Sequence, residues 1–130
     1  MVTTPQESML IVEDDDDLAV ILKARLEAAG YSVHTERSGA GALLYALTHQ
    51  PPLVILDIQL PDCSGYAVCE QLRSRYGSAE LPVVMFTVMD QPDEAQRGFA
   101  AGANSYLSKH GDFSTLLQTV DAFLADPLPQ

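Results

Sequence analysis

The sequence predicts an α/β fold: a doubly wound, five-stranded parallel sheet in the order 2-1-3-4-5, flanked by five helices. Three observations lead there. Along 130 residues, short apolar runs of strand length alternate five times with longer stretches whose apolar residues recur at helical spacing. The central run, Leu53-Val54-Ile55-Leu56, is apolar without alternation, as expected of a parallel strand covered on both faces. Strict βα repetition with right-handed crossovers leaves few other layouts.

The first run, Met9-Leu10-Ile11-Val12, stops at the acidic stretch Glu13-Asp14-Asp15-Asp16-Asp17. Leu18, Ile21, Leu22, Leu26 and Ala29 then follow at helical spacing until Gly30 breaks the helix. Residues 31–35 alternate like a half-buried strand. Ser38 can cap the next helix, which is expected to carry Leu43, Leu44 and Leu47 inward and is closed by Pro51-Pro52. The central run ends at Asp57, and a loop at 58–64 leads to a helix through Arg75 with Tyr66, Cys69 and Leu72 on one face. Residues 81–86 make a fourth strand ending at Thr87, with Met85 in the core.

Asp90 can cap the fourth helix, whose first turn holds Pro92, Asp93 and Glu94 at the positive end of the helix dipole. Gly102 ends it, and Ser105-Tyr106-Leu107 forms a short fifth strand before Lys109. The last helix sets Phe113, Leu116, Leu117, Val120, Phe123 and Leu124 on one stripe. One folded unit is expected over 8–125, between short tails at 1–7 and 126–130.

The composition, 47% hydrophobic and 19% charged, is that of a globular domain with a real core. Seven basic against eighteen acidic residues give a formal charge of -11, which repels phosphate backbones and anionic membrane surfaces. With no basic patch, direct nucleic-acid binding and membrane binding are both expected to be absent. The first nine residues lack a basic start and the apolar run after them is too short for a signal-peptide core, so a cytoplasmic location is expected. Cys63 and Cys69 match no metal-ligand spacing and suggest no disulfide framework.

In a sheet of this kind ligands bind outside the carboxyl ends of the strands, near the topological switch point. Four of the five predicted strands end in a polar group there: Glu13 and Asp14 after the first, Asp57 after the third, Thr87 at the fourth and Lys109 after the fifth. Each residue alone has an ordinary explanation as a turn, a helix cap or a surface charge, and for Asp15, Asp16 and Asp17 capping is the preferred one. The conjunction is harder to explain away. Carboxylates crowded at one strand edge stay ionised together only with a compensating cation, and the hard, oxygen-seeking Mg2+ suits such a site.

The stretches Leu10-Ile11-Val12-Glu13-Asp14-Asp15, Gly30-Tyr31-Ser32-Val33, Leu53-Val54-Ile55-Leu56-Asp57-Ile58-Gln59-Leu60-Pro61 with Ser64-Gly65, Val83-Val84-Met85-Phe86-Thr87, and Gly102-Ala103-Asn104-Ser105-Tyr106-Leu107-Ser108-Lys109 carry a specific resemblance. In motif, order and spacing the chain resembles the response-regulator receiver domains of two-component signalling systems, over about residues 8–124. The resemblance implies a flavodoxin-like fold and a phosphoacceptor, Asp57, whose carboxylate attacks phosphorus in line. It implies Mg2+ bound directly by Asp14, mainly through water by Glu13, and further by Asp57 and the backbone carbonyl of Gln59. Lys109 would neutralise the phosphoryl oxygens, Thr87 would donate a hydrogen bond to them, and Pro61 and Gly65 would shape the adjoining loop.

By the same resemblance, Thr87 and Tyr106 form a switch that alters the face made by the fourth helix, fifth strand and fifth helix. The expected donor is a histidine kinase or histidine phosphotransfer protein, and the expected reader a downstream protein or fused output domain. The chain would not be an enzyme in the ordinary sense, although such domains assist their own phosphorylation and dephosphorylation. The last helix lacks Lys and Arg, so docking of a separate protein on Phe99 and Tyr106, with a monomer or weak dimer, is expected over a charge-paired dimer.

Two positions depart from the family pattern: Val88 stands where a small residue is usual, and His110 where proline is usual. Without proline, a trans bond is expected between Lys109 and His110. The alternatives are a pseudo-receiver that binds proteins without phosphorylation, and a haloacid-dehalogenase-like phosphotransferase. The latter needs Thr or Val four residues after its first Asp, whereas Asp14 is followed there by Leu18.

Overall fold

The computed structural model describes residues 7–124. The expected tails, apart from Glu7, lie outside the described residues. Five strands, β1 (Met9–Val12), β2 (Val33–Glu36), β3 (Val54–Leu56), β4 (Val83–Thr87) and β5 (Ser105–Ser108), pair in parallel in the order β2-β1-β3-β4-β5. Between and after them run α1 (Asp16–Ala28), α2 (Gly39–His49), α3 (Gly65–Arg73), α4 (Pro92–Ala101) and α5 (Phe113–Leu124).

The unbroken apolar runs are explained by the two layers of helices. In β1, Leu10 and Val12 point into a core shared with α2, α3 and α4, while Met9 and Ile11 point into a core shared with α1 and α5. The period of two along each strand therefore feeds apolar side chains to both faces. Met85 lies in the first of these cores and is fully buried, as expected.

Several expectations about helix faces and bounds need correction. In α2 the residues against the sheet are Ala42 and Ala46; Leu43 is only partly buried, and Leu44 and Leu47 are exposed. The small alanines let the helix lie close to the strands, and the leucines flank the contact. In α1, Ala19 is buried while Ile21 is exposed, as is Ala29 just past the helix end, and in α5 Phe123 lies at the exposed edge of an otherwise inward stripe. The second strand starts later than residue 31, and α3 stops at Arg73.

The fourth helix is capped by Gln91, with Pro92 in its first turn and the Glu94 carboxylate accepting from the Gln91 N–H at 2.9 Å. Asp90 is engaged elsewhere: Ser108 donates to it across the loops. Gly102, at φ 112°, ends α4 in the left-handed region that glycine enters without strain. No described peptide bond is cis, so the Lys109–His110 bond is trans, as expected. Among the described residues no helix is long and apolar enough to cross a membrane.

Candidate functional site

The carboxyl ends of β1, β3, β4 and β5 gather the polar residues that the strand ends predict. Glu13 follows β1 and Asp57 follows β3, and both are buried; Thr87, the last residue of β4, is fully buried. Lys109 follows β5 and reaches back over the sheet edge, its Nζ 2.6 Å from Glu13 Oε2 and 2.8 Å from Asp57 Oδ2. Asp14 is exposed, and Glu13, Asp14 and Asp57 each offer a carboxylate oxygen within 4.8 Å of the others. Three carboxylates thus face one ammonium, which leaves negative charge uncompensated at a single point of the surface.

Burial dominates the electrostatics of Glu13, pushing its carboxyl above the ordinary range; Lys109 opposes that, and the nearby Asp57 charge adds to it. Burial also works against the Lys109 ammonium, but its bonds to Asp57 and Glu13 outweigh this and hold it above the ordinary lysine value. Desolvation offsets much of the attraction in buried ion pairs, so such a cluster adds little net stability. Its arrangement is better explained by chemistry than by support of the fold.

The loop after β3 is shaped by backbone contacts. The Gly65 N–H donates to the Ile58 carbonyl at 2.7 Å, and a Cβ on Gly65 would stand 2.2 Å from the Asp57 carbonyl oxygen, so only glycine fits. The Gln59 N–H donates to Asp57 Oδ1 at 3.3 Å, and Ser64 caps α3 by accepting from the Ala67 N–H at 3.2 Å. Asp62 accepts from the N–H groups of Gly39 and Ala40, at 2.9 and 3.0 Å, and so joins this loop to the first turn of α2. Those bonds hold the Asp62 carboxyl below the usual carboxylate range.

The loop after β4 is held by side chains. Thr87 Oγ1 accepts from the Met89 N–H at 3.2 Å, and the Tyr106 hydroxyl donates to the Met89 carbonyl. Tyr106 is half-buried, its ring tilted against the exposed Phe99 with centroids 6.4 Å apart. Burial, and the neighbouring Tyr66 hydroxyl after it, push the Tyr106 phenol far above its ordinary value. Val88 and His110 are both exposed.

Tyr106 lies outside the carboxylate cluster, and so do His34 and His49, which stack on the two faces of Tyr45 at 4.0 and 4.2 Å. Sequence reasoning missed Asp62, Asp90 and Ser108 as residues that shape the loops. Only the Pro61-Asp62 turn offered a signal, because the bonds joining Asp62 to α2 and Asp90 to Ser108 span 22, 23 and 18 residues.

A family model for the response regulator receiver domain matches residues 9–121. The chain belongs to that family. This receiver domain is 36% identical over 124 residues to the DNA-binding dual master transcriptional regulator RpaA of a Synechocystis strain, covering 94% of the chain and 52% of RpaA. It is 32% identical over 120 residues to the polar-differentiation response regulator DivK of Brucella ovis, covering 92% of the chain and 98% of DivK. The chain therefore spans about half the length of the first relative and nearly all of the second. The crystal structure of a putative response regulator from Chloroflexus aurantiacus superposes with a TM-score of 0.85 at 35% identity, covering 94% of this chain and 100% of that one.

Proposed function

We propose that this receiver domain takes a phosphoryl group onto Asp57 from a histidine kinase or histidine phosphotransfer protein, with Mg2+, and signals through the surface around Tyr106. The observation that carries this reading is the pairing of buried Asp57 with the Lys109 ammonium, 2.8 Å away, beside two further carboxylates. An Asp57 oxygen forms the new bond to phosphorus as the phosphorus–nitrogen bond of a phosphohistidine breaks, and the leaving imidazole keeps the electron pair. Lys109 is positioned to neutralise the phosphoryl oxygens, and the Thr87 hydroxyl to donate to one of them.

An all-oxygen donor set with uncompensated negative charge fits Mg2+. Asp14 and Asp57 would hold it directly, with the Gln59 carbonyl, and Glu13, already paired to Lys109, would act mainly through water. When bound, the ion supplies charge neutralisation on the phosphoryl group. Once labelled, Asp57 draws on Thr87, and the loop that Thr87 and Tyr106 both hold carries the change outward. A differential interaction of a few kcal/mol suffices to shift such an equilibrium.

The reader is a separate protein or a fused output domain docking on the exposed Phe99 and on Tyr106. The domain itself is a cytoplasmic monomer or weak dimer that touches no nucleic acid or membrane. Incubation with acetyl phosphate and Mg2+, followed by intact-mass measurement, should give one phosphoryl group on the wild type and none on Asp57→Asn. An unlabelled wild type would favour the protein-binding module without phosphorylation. Asp14→Ala should weaken Mg2+ binding at least about tenfold in calorimetry, a loss typical of removing a charged ligand. Asp17→Ala, altering an exposed residue in the first turn of α1, should leave it nearly unchanged; equal losses would mean that the acidic run acts diffusely.

A further inference from the structure

The His110 N–H donates to Ser108 Oγ at 3.0 Å, and the Ser108 hydroxyl in turn donates to Asp90 Oδ2 at 2.9 Å. Proline at position 110 has no N–H and could not make the first of these bonds. Asp90 belongs to the loop after β4, and Ser108 ends β5 directly before Lys109. The ladder between the two strands ends with the Lys109 N–H donating to the Thr87 carbonyl at 2.9 Å. Beyond that bond, the Asp90–Ser108–His110 chain links the loop at 88–91 to the end of β5 and the start of the loop at 109–112. Gln91 Nε2 stands 3.5 Å from the other Asp90 oxygen, a marginal contact that leaves Oδ2 to the Ser108 hydroxyl.

Resting on the phosphoacceptor reading above, we infer that this chain of bonds is a latch across the mouth of the site, and that Ser108 and the His110 N–H are positioning residues that set the lifetime of the phosphoryl group on Asp57. The loops it ties carry the residues next to Thr87 and Lys109, the two groups that face the phosphoryl oxygens. In hydrolysis a water oxygen bonds to phosphorus, the bond from phosphorus to the Asp57 oxygen breaks, and the carboxylate and inorganic phosphate are released, one water proton staying on the phosphate and the other passing to the phosphate or to solvent. A joined rim limits the approach of that water, and a parted rim admits it. The latch is solvent-exposed, so its effect is modest, and water replaces part of what is lost when it breaks.

Breaking the latch in either of two ways should have one outcome. Ser108→Ala removes the hydroxyl and with it both bonds, and His110→Pro removes the N–H bond that orients the hydroxyl toward Asp90. Each should speed loss of label from Asp57, by about threefold or somewhat more, as expected for one or two exposed hydrogen bonds. Each should also raise amide exchange at residues 88–91 before any phosphorylation. Ser108→Thr keeps a hydroxyl and His110→Ala keeps the N–H, so both should match the wild type. Loss of label in Ser108→Ala at the wild-type rate, or in His110→Ala as fast as in His110→Pro, would overturn the inference. A wild type that takes up no label overturns the phosphoacceptor reading instead, and the latch is then decided by exchange alone: equal exchange at 88–91 in the wild type and Ser108→Ala would refute it.

Discussion

The loop after β3 and the loop after β4 flank the same acidic cluster, yet they are held in different ways. At 58–64 the chain is fixed by close backbone packing, with Gly65 against the Asp57 carbonyl and its N–H on the Ile58 carbonyl, and by carboxylates, with Asp57 accepting from the Gln59 N–H and Asp62 from two α2 amides. At 88–91 the anchors are the hydroxyls of Thr87, Tyr106 and Ser108, the last on an exposed bond. Backbone packing at van der Waals contact has no nearby alternative arrangement, whereas a hydroxyl can exchange partners within one rotamer change. The first loop therefore has fewer nearby alternative arrangements than the second.

That contrast can be broken most forcefully at Gly65. Gly65→Ala puts a Cβ 2.2 Å from the Asp57 carbonyl oxygen and 2.8 Å from Ile58 Cα, neither of which can turn aside. A loss of about 3 kcal/mol or more is expected in urea unfolding, since overpacking against backbone lies at the upper end of such penalties. A near-neutral result would show that the loop after β3 yields as easily as its neighbour.

Gly98→Ala tests the other side with a similar clash and a softer neighbour. Its Cβ would meet Tyr106 Cδ2 at 2.6 Å and Met85 Sδ at 2.9 Å, both on side chains that can shift. Overpacking costs about 1–3 kcal/mol, and alanine in place of helical glycine returns up to about 1 kcal/mol, so a net loss of about 1 kcal/mol is expected. The displaced Tyr106 ring should also release the Met89 carbonyl, raising amide exchange at 88–91. Unchanged exchange would mean that Tyr106 does not restrain this loop.

The smallest effect belongs to Asp62, which is fully exposed. Because its folded carboxyl lies below the ordinary value of 3.8, its contribution is present above that pH and is lost as the pH falls through the folded value. Asp62→Ala should therefore lower the unfolding midpoint slightly at pH 6 and much less at pH 3. The same difference at both pH values would mean that the carboxylate charge has no part in capping α2.

Much of the site was legible because its residues sit at the ends of strands, and a strand end is a local feature of the chain. Glu13, Asp14, Asp57, Thr87 and Lys109 each follow or close an apolar run, and the structure brings all five to one edge of the sheet. Helix faces were less legible. In α3 the apolar face predicted from Tyr66, Cys69 and Leu72 is buried; in α2, hydropathy pointed to leucines while the close approach to the sheet selected Ala42 and Ala46. Hydrophobicity ranks transfer from water, and it carries no information about how near a helix lies to its neighbour.

The sequence by itself determined the order of elements, the parallel sheet and the identity of the strand-end residues, since period, run length and turn residues are written within a few positions of each other. The tertiary structure alone decided that one ammonium bridges Glu13 and Asp57, the latter 52 residues away, and that Asp90 leaves the helix cap to Gln91 and accepts from Ser108 instead. Those are contacts between loops, whose geometry follows from how the strands are ordered and how far each loop leans. A charge has no preferred partner until the fold has set which opposite charges or donors come within reach.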